Sequence, residues 1–155
     1  MNEQTKPDSK VMFLLPKEDG SVDVETLWAT RMRQDQYKLE NSPFYVYGVS
    51  WQDIVYAPFS EEEGFPVYSN IVTKSGNRTV RVIFDPPVSP GNESDGILQG
   101  LVKIGCDYEG ANKTYIVINI PPAVTLESVR NYLIGVSANW EHADPTYDSL
   151  FPENA

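Results

Sequence analysis

The chain holds one cysteine and one histidine, Cys106 and His142, so a thiol–imidazole nucleophile could be assembled only from this pair. Cys106 follows Gly105 at the end of a helix-like segment, where a small buried thiol is common; His142 falls near a terminal strand, at a surface or edge position. A Cys/His metal centre needs a cluster at ligand spacing, and no such cluster occurs. Nor do the carboxylates form a calcium loop. SPGNESDG (89–96) lacks both the Lys-Ser/Thr of a phosphate loop and the dinucleotide glycine spacing, and GVSWQD (48–53) has no closing glycine for a nucleophile elbow. No residue is therefore assigned a catalytic, metal or cofactor role. An enzyme using carboxylate acid/base chemistry stays open as a third reading, because such carboxylates need not be neighbours in the chain.

Recognition chemistry is better represented. SEEEG (60–64) is an acidic tip flanked by Tyr56, Phe59 and Phe65, and charge around aromatic anchors suits a protein interface, where Glu61, Glu62 and Glu63 would steer and the three rings would hold. The acidic tail from Asp144 to Glu153, with Tyr147 and Phe151, is a second candidate of the same sort. NSPFYVYGVSWQDIVYAP (41–58) carries five aromatic rings; Tyr45, Tyr47 and Trp51, with Tyr115, could enclose a small molecule in an apolar pocket.

The elements that must position these groups follow from period and punctuation. Val11–Leu15 reads as a buried strand, and alternation over Leu27–Leu39 reads as a hairpin despite helix-favouring residues between Val24 and Arg33. Phe44–Val49 and Ile54–Ala57 read as extended, with Phe44 and Val46 on one side and Tyr45, Tyr47 and Val49 on the other. Val67–Thr73 and Thr79–Phe84 flank a Ser-Gly-Asn turn and read as a long hairpin. After a Pro/Gly-rich connector, Ser94 or Asp95 caps a helix through Val102 that stops at Gly105; Cys106–Glu109 and Tyr115–Ile120 are strands; Thr125 caps a second helix; a last strand surrounds Trp140 and His142. From Thr79 the order is strand, helix, strand, strand, helix, strand, the ferredoxin-like plan. Val80, Val82, Phe84, Ile116, Ile118 and Ile120 then face the helices; Arg81, Ile83, Tyr115, Val117 and Asn119 face away, on a half-apolar surface that the N-terminal half should cover.

Composition bounds the rest. At 155 residues, 41% hydrophobic and 22% charged, the chain can bury roughly two-thirds of its unfolded surface without disulfides. Its longest apolar run is too short to cross a bilayer and its single cysteine suits a reducing compartment, so a cytoplasmic protein away from membranes is expected. Acidic residues outnumber basic ones by 22 to 12, giving a net charge of −10, which repels nucleic acid and attracts a basic protein surface. Arg81 and Tyr115 could imitate a base-stacking sheet, but the RNA-binding strand motif is missing.

LWA (27–29), YKLENSPFYVYGVSWQDIVYA (37–57), SGNRTVRVIF (75–84) and IGCDYEG (104–110), in this order, resemble a bacterial family of small cytosolic proteins classed as a domain of unknown function. The resemblance spans roughly Val11 to His142. It implies a bacterial origin and a stand-alone domain, and brings no catalytic residues with it. The fold expected is α+β: an N-terminal small antiparallel β-barrel or rolled sheet packed on a C-terminal ferredoxin-like βαββαβ half. A disordered N-terminus (1–10), a β-rich half (11–73), the ferredoxin-like half (74–142) and an acidic tail (143–155) divide the chain. The function expected is non-enzymatic: an acidic binding protein, most concretely an immunity or antitoxin protein that occludes a basic toxin surface. The alternative is a small-molecule-sensing regulatory domain with its ligand between the halves.

Overall fold

Alternation builds the first half. Val11 and Phe13 of β1 (Ser9–Pro16), Leu27 and Ala29 of β2 (Val22–Arg33), Tyr37 and Leu39 of β3 (Gln36–Leu39) and Val55 of β4 (Ile54–Tyr56) are all buried in one apolar core. In β2 the buried side chains are Glu25, Leu27 and Ala29 at every second position, so the period-two pattern prevails over helix propensity. The structure, a computed structural model, describes residues 7–154. Most of the expected loose N-terminus thus lies outside the described residues, while Ser9 and Lys10 already belong to β1.

A short ribbon follows, β5 (Phe59–Ser60) with β6 (Phe65–Pro66), and then β7 (Asn70–Thr73). The first sheet has the order β1-β2-β3-β4-β7 and stays open. The barrel alternative is therefore corrected. At its free edge β1 meets β6 and the segment after it, through an isolated parallel bridge between Met12 and Val67 and the Tyr68 N–H donating to the Met12 carbonyl at 2.8 Å. Pro66, next to that bridge, has no N–H with which to extend it into a ladder.

The second half comprises β8 (Arg78–Ile83), α1 (Glu93–Ile104), β9 (Asp107–Gly110), β10 (Tyr115–Ile120), α2 (Leu126–Gly135) and β11 (Asn139–Asp144). Its four strands form an antiparallel sheet in the order β11-β8-β10-β9. Val80, Val82, Phe84, Ile116, Ile118 and Ile120 pack with Leu98 and Leu101 of α1 and Val129 and Leu133 of α2. Asn92, rather than Ser94 or Asp95, caps α1, its side chain accepting the Asp95 N–H at 2.8 Å. Gly105 ends the helix at φ 119°, and Thr125 caps α2 by accepting the Ser128 N–H. The chain closes with α3 (Tyr147–Leu150) and a 3-10 turn (Pro152–Asn154). Among the described residues no helix is long and apolar enough to cross a membrane.

Two expectations from local pattern fail where side chains replace a ladder. The long hairpin does not form: β7 pairs with β4, whereas β8 pairs with β10 and β11 in the other sheet. Its turn is held instead by the 51–53 corner, with the Ser75 N–H donating to Asp53 at 2.8 Å and the Ser75 hydroxyl and the Asn77 amide both donating to the Trp51 carbonyl. Nor is Phe44–Val49 a strand. It is an irregular loop between the sheets, described next.

Candidate functional site

Loop 41–53 leaves β3 and crosses the sheet face that the helices do not cover. The Glu25 carboxylate accepts three successive N–H groups, from Phe44 at 2.6 Å, Tyr45 at 3.1 Å and Val46 at 2.9 Å. The carbonyls point the other way, to the Arg81 guanidinium, which donates to Pro43 and Tyr45 at 3.2–3.3 Å and also to Val46. Tyr115 donates its hydroxyl to the Phe44 carbonyl. At the near end Glu109 accepts the Ser42 N–H at 2.5 Å and the Asn41 amide at 3.2 Å; at the far end the Gly48 N–H donates to Ala143 at 2.9 Å. Arg81 is 2% exposed. A buried guanidinium is tolerated here because its donors are spent on backbone oxygens and on the Glu141 carboxylate at 3.5 Å, and it lies over Tyr47, 4.9 Å from the ring centre. The same contacts cover the sheet face, so Arg81 and Tyr115 offer no open platform to nucleic-acid bases. Burial, the largest influence, pushes the Tyr115 phenol up to about 12.

A second set of contacts fastens the loop's end. Lys74 donates to Asp53 at 2.6 Å and also to Asp144, while the Ser50 hydroxyl donates to Asp144 at 2.6 Å and shares a 2.7 Å bond with Thr79. Burial alone would weaken the Lys74 charge, but the two carboxylates outweigh it and its pKa is raised. Asp144, counted in sequence with the acidic tail, is buried in this cluster and is no surface anchor.

The four residues expected to enclose a ligand do not converge on one cavity. The Tyr45 and Tyr115 rings lie tilted against each other, 5.8 Å between centres, and Tyr47 donates to Glu141 at 2.8 Å. Tyr47 borders an open groove of about 790 Å³ with Arg130, Trp140, His142 and Tyr147. Trp51 lines a separate cavity of about 270 Å³ with Ser42, Asp107, Tyr108, Glu109 and Asn119. Of these, Asp107, Glu109 and Asn119 were missed in the sequence. The signal was there for Asn119, a lone polar residue in the apolar strand YIVINI. It was there too for Arg81, between two buried valines.

The partner residues expected at the acidic tip lie on and beside the β5–β6 ribbon. Glu61, Glu62 and Glu63 form its exposed turn, Phe59 is 61% exposed, and Phe65 and Tyr56 are partly exposed. Phe59 is paired with Pro66 and Ser60 with Phe65, which sets the two phenylalanines on opposite faces of the ribbon.

Cys106 and His142 are kept apart by topology. β9, next to Cys106, and β11, which carries His142, are the two outer strands of the sheet, about 14 Å apart at ordinary strand spacing. The Cys106 thiol is buried, and burial followed by the nearby Asp107 raises its pKa to about 11, the reverse of an activated nucleophile. His142 is on an edge strand as expected but not at the surface: it is 8% exposed, its ring against Trp140, Tyr147 and Phe151, and burial followed by Arg130 lowers its pKa. No group of three or more metal-ligating side chains stands together among the described residues.

The model of a family described as a domain of unknown function, DUF4265, matches residues 25–142. No curated protein matches the sequence. A crystal structure of a hypothetical protein from Neisseria gonorrhoeae is similar in fold, with a TM-score of 0.71 at 15% identity, over 94% of this chain and 99% of that one.

Proposed function

We propose that this chain, which belongs to the DUF4265 family, is a non-enzymatic acidic binding protein, and most concretely an immunity or antitoxin protein that occludes a basic surface on a toxin. One observation carries the reading. The β5–β6 ribbon sets three consecutive carboxylates on an exposed turn next to Phe59, the most exposed aromatic ring among the described residues, in a chain of net charge −10. Charge of this density steers a basic partner from a distance, and an exposed ring gives it an anchor on arrival. The opposite orientations of Phe59 and Phe65 suit a ribbon inserted into a cleft better than one laid flat on a surface. A finer reading of the scaffold goes with this: the strand order β11-β8-β10-β9 with two helices on one face supports a ferredoxin-like βαββαβ unit, against which the first half packs as a rolled sheet.

The experiment is affinity capture from the native host with the wild-type chain and with the triple variant Glu61→Lys, Glu62→Lys, Glu63→Lys, followed by kinetics on the captured partner. A basic toxin held by the wild type, whose association slows at least about tenfold at low salt in the triple variant, supports the proposal. Association unchanged by the triple charge reversal would sink it.

A further inference from the structure

The cavity beside Trp51 lies at the outer edge of the C-terminal sheet, where β9 is the last strand. Pairing of Asp107 with Asn119 and of Glu109 with Val117 puts Asp107, Glu109 and Asn119 on the same face of β9 and β10. Ser42 and Trp51 of the inter-sheet loop, with Tyr108, complete the lining of a partly open cavity of about 270 Å³, and no lysine or arginine lines it. Asn119 is 3% exposed, and the orientation of its amide is dictated by its neighbours. The Trp51 carbonyl can only accept, so Asn77 presents its amino group there, at 3.1 Å, and its oxygen to Asn119, which must therefore donate, also at 3.1 Å. The Asn119 oxygen is left buried with no donor among the described residues. Native proteins rarely leave a buried acceptor in this state.

We propose that this cavity binds an organic cation through an ammonium or guanidinium group. The unpartnered Asn119 oxygen calls for a donor. Two carboxylates on the same wall make a cationic donor the favoured one, and Trp51 adds the residue type whose ring attracts cations most strongly. The volume suits one such group with a short stem rather than a nucleotide. The cation could be a free amine or the side chain of a basic protein. The site shares no residue with the acidic ribbon, so each proposal can fail without the other.

Amide-resolved NMR titration of the full chain tests it, using n-butylammonium and methylguanidinium against their neutral counterparts n-butanol and N-methylurea. The cations are expected to shift the Asn119 side-chain amide and the Trp51 indole, and the neutral compounds to leave both in place. Asp107→Asn removes one charge from an exposed carboxylate and should weaken the cation about fivefold. Trp51→Leu should weaken it independently. The peptide Gly-Gly-Arg-Gly-Gly separates the sources: binding as tight as methylguanidinium points to a protein side chain, and binding of the free compounds alone points to a small amine. Equal shifts from charged and neutral compounds, or a cation affinity indifferent to Asp107→Asn, overturn the proposal.

Discussion

Two side chains do the work of a missing β-ladder. Glu25 and Arg81 take the amides and carbonyls of residues 43–46 from opposite sides, so a loop between two sheets has its polar backbone groups satisfied without a neighbouring strand. Removing either charge leaves several buried groups without partners, each costing about 1–3 kcal/mol. Glu25→Ala should therefore cost about 3 kcal/mol in all, after the loop relaxes toward water. Its signature is local: native-state hydrogen exchange should show the Phe44, Tyr45 and Val46 amides losing protection while those of β8 and β10 keep theirs. Retained protection at all three amides would mean that something other than the carboxylate holds the loop. None of this was readable from the stretch itself. Phe44–Val49 has a strand's composition, and the residues that divert it lie about 20 and 36 positions away in sequence.

At the scale of elements, what could be read was whatever the chain specifies within a turn or two. The stop at Gly105, the cap at Thr125 and the apolar stripes of α1 and α2 are local chemistry, as is the alternation of β2 and β10. The hairpin expected across Ser75–Asn77 failed because a turn motif fixes a reversal and not the sheet in which the next strand lands. The site was legible only in part: the ribbon's carboxylates and rings are contiguous in sequence, but the cavity beside Trp51 is built from three separate segments. Helix packing gives a second case in which local rules mislead. Propensity alone says that Gly100→Ala would stabilise α1 by about 0.8–1 kcal/mol. A Cβ at Gly100, however, would fall 1.9 Å from the Tyr132 hydroxyl of α2, which donates to the Ile97 carbonyl. The ring must leave and the contact between the helices must open, a cost of about 1–3 kcal/mol that outweighs the gain. Thermal denaturation should show Gly100→Ala below the wild type and the double variant Gly100→Ala, Tyr132→Leu recovering part of the loss. A stabilised single variant would show that α1 and α2 are not held at this distance.

For the whole molecule, the question is why two sheets with separate apolar cores should behave as one body. The cores share no residue, and the polar contacts described between the halves run through loop 41–53 and the Lys74 cluster. Asp53 belongs to the first half and Asp144 to the last strand of the second, and both are almost fully buried on the same ammonium group. Lys74 is thus the charge that lets two carboxylates from different halves approach one another. Lys74 is itself 43% exposed, so its loss admits water to the cluster and costs less than breaking a fully buried pair, about 2–3 kcal/mol. That cost falls on the junction and not on either core. Wild type should unfold in a single calorimetric transition with equal calorimetric and van't Hoff enthalpies. Lys74→Met should lower the midpoint and split the transition, the half built on β8–β11 unfolding apart from the five-stranded sheet. Asp144→Asn added to Lys74→Met removes the repulsion and should bring the two transitions back toward one. A Lys74→Met variant that melts lower but still as a single transition would place the coupling elsewhere, in the contacts that Arg81 of β8 makes with the backbone of loop 41–53.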